Sequence, residues 1–137
     1  MNSQTKIPDE LILVSKATQF RPRKPAHVKL YRSGKNAKLE ISVKAVEATG
    51  LKSGDYVRIY SDGNKQLLVI EKVEKEDEHT FRLRPPYKSH KTNRLAVAGR
   101  ALNVLFRNNE ESKVYFIYRG SEGNKHLFER IDRTIGW

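Results

Sequence analysis

The stretch YRSGKNAKLEISVKA, residues 31–45, returns as YKSHKTNRLAVAGRA, residues 87–101, at a constant spacing of 56 positions. Tyr31, Ser33, Lys35, Leu39 and Ala45 recur unchanged as Tyr87, Ser89, Lys91, Leu95 and Ala101. Arg32, Lys38, Ile41 and Lys44 return conservatively as Lys88, Arg94, Val97 and Arg100. Further along, Ile59-Tyr60 matches Ile117-Tyr118 at 58, and Gly63-Asn64-Lys65 matches Gly123-Asn124-Lys125 at 60. The spacing grows only where the residues read as exposed connections, which is how a diverged tandem duplication accumulates insertions. No other feature of the chain restricts its fold as strongly.

Each copy reads as strand, strand, short helix, strand, strand. HVKLY (27–31) alternates, and KLEISV (38–43) places Leu39, Ile41 and Val43 on one side. The period then changes: Val43, Val46 and Leu51 share a helical face, with Gly50 as the C-terminal cap, so a helix is expected over 43–51. YVRIY, an Asp-Gly turn and QLLVIEKV form a hairpin. The second copy repeats this as RLAVAG, a helix over 99–106, KVYFIY and HLFERI. A unit of this size leaves open strand edges and one bare apolar face. Two units about a pseudo-twofold axis close a shared barrel. The expected class is mainly β with short α, a single-chain pseudo-twofold barrel of two tandem ββαββ units. The expected divisions are 1–26 (strand 10–15 and basic arm), 27–74 (first unit), 75–86 (linker or strand) and 87–137 (second unit).

Charge follows the repeat. The formal net charge is +11, which makes a polyanion the first partner to consider. No acid lies between Glu10 and Glu40, a tract with eight bases: Lys16, Arg21, Arg23, Lys24, Lys29, Arg32, Lys35 and Lys38. None lies between Glu78 and Glu110, where there are seven: Arg82, Arg84, Lys88, Lys91, Arg94, Arg100 and Arg107. The acids gather in EKVEKEDE, 71–78. Each acid-free tract runs into one copy of the repeated stretch.

The segment KLEISVKAVEATGLKSGDYVRIYSDGNKQLLVIEK resembles the swapped-hairpin unit of AbrB-like DNA-binding proteins. It has a basic residue (Lys38), an apolar strand (Leu39, Ile41), Gly50-Leu51 ending the helix, Gly54-Asp55 in a turn, and Val57 and Ile59 in the next strand. Two such units in one chain resemble the MraZ-like arrangement. The strand-ending proline of that family is Ser42 here and Ala98 in the second copy, and the helix arginines fall on Val46 and Glu47. The resemblance implies a cytoplasmic, nucleoid-associated transcription regulator that prefers certain double-stranded DNA sequences. As a monomeric pseudo-dimer or weak homodimer, it uses its basic hairpin tips. The expected contacts are Arg32, Lys35, Lys38 and Lys44 from one copy and Lys88, Lys91, Arg94 and Arg100 from the other. Arg21, Arg23 and Lys24 of the arm are added. Lys38 and Arg94 are expected to be exposed, with Arg94 reading bases and Lys38 binding phosphate. A protein-interaction module (antitoxin-like or phage-like) and an RNA binder are the alternative readings. Tyr31, Tyr60, Tyr87 and Tyr118 either stack on bases or pack at the barrel rim.

Catalysis is not expected. His27, His79, His90 and His126 are scattered without metal-ligand spacing, and no phosphate loop or nucleophile elbow is present. Asp55 and Asp62 read as turn residues. With no cysteine, thiol chemistry and disulfides are excluded. No cofactor, metal or membrane span is expected, and MNSQTKIPDELILVSK lacks the pattern of a signal peptide.

Overall fold

The computed structural model describes residues 25–86 and 93–132. In chain order these form β1 (His27–Ser33), β2 (Asn36–Ile41), α1 (Val43–Thr49), β3 (Tyr56–Ser61), β4 (Leu67–Val73) and β5 (Phe81–Arg82). The second copy continues with β6 (Leu95–Gly99), a 3-10 helix (Arg100–Leu105), β7 (Lys113–Glu122) and β8 (Lys125–Ile131). Alternation decides the facing of each strand. Val28 and Leu30, Leu39 and Ile41, and Leu68 and Ile70 are fully buried, and Phe116 and Phe128 fill the interior beside them. Each such side chain contributes about 1.5–3 kcal/mol through burial.

The strands pair in the order β5-β3-β4-β8-β7-β1-β2-β6, all antiparallel. A bridge between Arg84 and Ala96, with N–H···O contacts of 3.0 and 2.7 Å, joins the β5 segment to β6. Eight strands thus form a nearly closed barrel, with two strands from one copy alternating with two from the other. Among the described residues, β1–β2 never pairs with β3–β4; each hairpin is flanked by strands of the other copy. This is the swapped-hairpin interleaving, and it explains the duplication: one copy alone provides two hairpins with unpaired edges.

The ladders also locate the axis. In β2–β6, Glu40 lies opposite Ala96, its own counterpart 56 residues later. In β4–β8, Leu68 lies opposite Phe128, 60 residues later, the spacing of the two Gly-Asn-Lys turns. Exchanging the copies converts the pair Leu39–Val97 into Ile41–Leu95, which is again a pair. The pseudo-twofold axis therefore enters through the β2–β6 wall and leaves through the β4–β8 wall, exchanging the barrel ends.

The first strand of the second copy is β5, which lies within 75–86, the segment expected to be a linker or a strand, and the adjacent Leu83 is fully buried. One expectation needs correction. The second helix is a 3-10 turn, not an α-helix. Ser42 Oγ accepts from Ala45 N at the start of α1, and Gly50 closes it at φ 72°. Their counterparts are Ala98, which has no capping oxygen, and Phe106, which stays extended at φ −80°. Without either cap the second copy tightens into the shorter helix. The expected strand at 10–15 lies outside the described residues.

Candidate nucleic-acid interface

The tip of hairpin β1–β2 rests against the 3-10 helix of the other copy, and Asn103 makes the joint. Its Nδ2 donates to Lys35 O and to Arg100 O, both at 3.0 Å, while its Oδ1 accepts from Arg32 Nη1 at 3.0 Å. Arg32 and Lys35 of one copy and Arg100 of the other thus converge on one amide. Lys35 and Arg100 are exposed there. Arg32 is not: Nε donates to Glu111 O at 2.7 Å, Nη2 to Asn108 O at 3.1 Å, and the guanidinium lies 4.1 Å from the Phe106 ring centroid. Arg32 holds the tip against the helix, and Lys35 and Arg100 present the charge.

The β1–β2–β6 wall carries the second group. Strand alternation points Lys29, Tyr31, Lys38, Glu40 and Arg94 outward, yet Glu40 is 1% exposed. Tyr31 Oη donates to Glu40 Oε1 at 2.6 Å, and Arg94 Nη1 is 3.7 Å from Glu40 Oε2. Lys38 Nζ donates to Pro86 O at 2.9 Å. Lys38 and Arg94 are thus half-buried rather than exposed. The amine of Lys29 lies 4.9 Å from the Tyr31 ring centroid. Burial, then Lys113, lower its pKa below the ordinary value, with Arg94 adding to them against the opposing pull of Glu40. Around one buried carboxylate the wall is positive.

Lys44, on the exposed side of α1, lies at the other end of β2 from Lys35, about 20 Å of strand away. The twofold operation exchanges barrel ends, so the helix-borne bases of the two copies cannot form one cluster. Lys88, Lys91, Arg21, Arg23 and Lys24 lie outside the described residues, as does Tyr87. Tyr31 is tied to Glu40, Tyr60 Oη donates to Glu71 Oε1 at 2.9 Å, and Tyr118 bonds Ser121. Asp62 Oδ1 accepts from Gln66 N and Leu67 N at 2.8 and 2.9 Å, and the Leu67 N–H first, then Gln66, holds its pKa below the carboxylate norm. Asp55 Oδ2 caps its turn through Lys52 N at 2.9 Å. Among the described residues, no group of three or more His, Cys, Asp or Glu could hold a metal, and no helix is long and apolar enough to cross a membrane.

Arg107 was not among the expected contacts, although it belongs to the second acid-free tract. Its Nε donates to Asn64 O and its Nη2 to Gln66 Oε1, both at 3.0 Å. This fixes it beside the β3–β4 tip, at the same barrel end as Lys35 and Arg100. The signal was its place just after the predicted helix, at the end of a run with no acid. Behind it, Arg130 is buried, pairs with Glu111 at 2.8 Å and donates to Lys65 O and Leu105 O.

Comparison with family models, with curated proteins and with solved structures returns no match for this chain.

Proposed function

We propose that the protein binds double-stranded DNA as a sequence-preferring regulator of transcription, using the barrel end built on the 3-10 helix and the adjoining basic wall. The observation that carries this is the joint at Asn103, which brings Lys35 of one copy beside Arg100 of the other. Both come from tracts without acids, so no carboxylate nearby in sequence competes for them. The phosphate backbone supplies most of the affinity in such contacts, and bases are read from elements it positions. The pseudo-twofold barrel, the interleaved hairpins and the resemblance to AbrB-like units support the same reading.

Lys35, Arg100 and Arg107 are three exposed bases at that barrel end. Three phosphate contacts predict a slope of about −3 in log affinity against log salt, and each further contact steepens it by about 0.9. Fluorescence anisotropy with duplex DNA at several salt concentrations measures it. Undetectable binding at low salt, or affinity indifferent to salt, overturns the proposal.

A further inference from the structure

The duplication contains its own control. Gly63-Asn64-Lys65 and Gly123-Asn124-Lys125 are the same tripeptide at the same turn of the two copies. Their surroundings differ. The first tip borders an open cleft of about 570 Å³ lined by Gly63, Asn64, Lys65, Gln66 and Arg107. Arg107 is anchored by two hydrogen bonds, which occupy two of the five donors of a guanidinium and leave the rest in a fixed fork. In the first copy the counterpart of Arg107 is Leu51, which is 3% exposed and part of the core. The second tip therefore faces no arginine from that position. Instead Asn124 Nδ2 donates to Lys72 O at 2.7 Å and Lys72 N donates to Asn124 O at 3.0 Å, sealing it against β4.

The acids near the first tip are already engaged. Asp62 is turned onto the N–H groups of its own turn, and Glu111 accepts from Arg107 N and from Arg130. Arg107 and Lys65 are the cations left to face the cleft, and a tetrahedral oxyanion fits a fork of N–H donors beside an ammonium.

We infer that the Arg107 cleft is a phosphate-binding site present at one barrel end only, and that its ligand is a phosphate of the nucleic-acid backbone. With Lys35 and Arg100 at the same end, the chain grips the duplex by that end rather than symmetrically. The duplex assignment rests on the function proposed above; the pocket does not.

The test is an amide NMR titration of the full chain with inorganic phosphate, against chloride at equal ionic strength. The Gly63, Asn64 and Lys65 amides are expected to shift saturably, and those of Gly123 and Asn124 to follow chloride. Arg107→Leu, which installs the residue of the other copy, is expected to abolish the first set of shifts. Arg107→Gln, which keeps a donor toward Asn64 without the charge, is expected to abolish them as well while the tip stays folded, which assigns the loss to the missing charge rather than to the missing anchor. In the duplex arm, Arg107→Gln is expected to flatten the salt slope by about 0.9. Equal shifts at both tips, or none at either, overturn the site. Phosphate shifts with an unchanged duplex slope support the pocket and assign it to a small phosphate compound, overturning the backbone ligand. Phosphate shifts in a protein that binds no duplex leave the pocket standing and overturn the proposed function instead.

Discussion

Ser42 and Ala98 occupy the same place in the two copies, and the segments that follow them diverge in both backbone and charge. The first copy has a capped α-helix carrying Lys44, Glu47 and Leu51; the second has a 3-10 turn carrying Arg100, Asn103 and Arg107 at those positions. The walls diverge less, because the inward positions are constrained by the shared interior: Leu39 and Leu95, Ile41 and Val97, and Leu68 and Phe128 all stay apolar and buried. A duplicated barrel is therefore conservative where the copies touch each other and free where each meets solvent. Glu47 gives way to the neutral Asn103 and the buried Leu51 to the exposed Arg107, and these two differences turn a neutral segment into a cationic surface at one end.

One inward position breaks that rule, and it offers the largest expected effect. Arg130 is the counterpart of Ile70, and both are buried. The arginine is accommodated by Glu111, by the carbonyls of Lys65 and Leu105, and by the Phe116 ring 5.7 Å away. Arg130→Ala leaves those acceptors unanswered and is expected to cost about 3 kcal/mol in denaturant unfolding; a loss below about 1 kcal/mol means that the copies solve this position equally cheaply. The pair also sets an acid limit. Burial alone raises the pKa of Glu111, but the Arg107 N–H and the Arg130 guanidinium outweigh it, so the net shift is downward from the ordinary carboxylate value. A carboxylate depressed in the folded state adds stability above its unfolded value, and that stability is lost as pH falls from about 4.5 through the folded value. The acid limb of the stability curve is expected to be shallower in Arg130→Ala than in the wild type.

Next in size is the asymmetry at the axis, where Glu40 faces Ala96. Arg94→Ala removes an ion-pair partner from a carboxylate that is 1% exposed, and about 1–3 kcal/mol of stability is expected to go with it. Lys35→Ala, at a fully solvated position, should stay within about 0.5 kcal/mol. Thermal unfolding of the two variants compares them, and equal stabilities would dissociate Glu40 from Arg94. This replaces the expectation that Arg94 is an exposed reader of bases.

The smallest effect tests the caps. Ser42→Ala gives the first copy the residue of the second, and Ser42 Oγ accepts from both Ala45 N and His27 N. A loss of about 1 kcal/mol is expected from urea midpoints. Helical circular dichroism should fall alongside it; an unchanged helix signal would place the difference between the copies in Gly50 and Phe106 instead.

Much of this architecture was legible in the chain. Period-two alternation placed all the long strands within a few residues, because a half-buried strand imposes that period locally. The helix at 43–49 and its glycine stop followed from residues within one turn of each other. The observed ladder register agrees with the repeat spacing, since counterparts in a twofold barrel meet on the axis. The 3-10 turn escaped because apolar spacing reports a buried face but not the missing caps that tighten it.

The fate of the basic residues was decided only by the tertiary structure. Sequence alone determined that Lys38 and Arg94 point away from the interior and that they and Arg32 lie in tracts without acids. It left open what lies across from them. Arg32 is held by groups 71 to 79 residues away and Lys38 by a carbonyl 48 residues away, all supplied by the second copy. Arg94 meets Glu40 because the axis passes beside it. Such contacts depend on how the two copies are threaded together, and no local pattern records which outward cation will find an acceptor there and which, like Lys35 and Arg100, will remain in water.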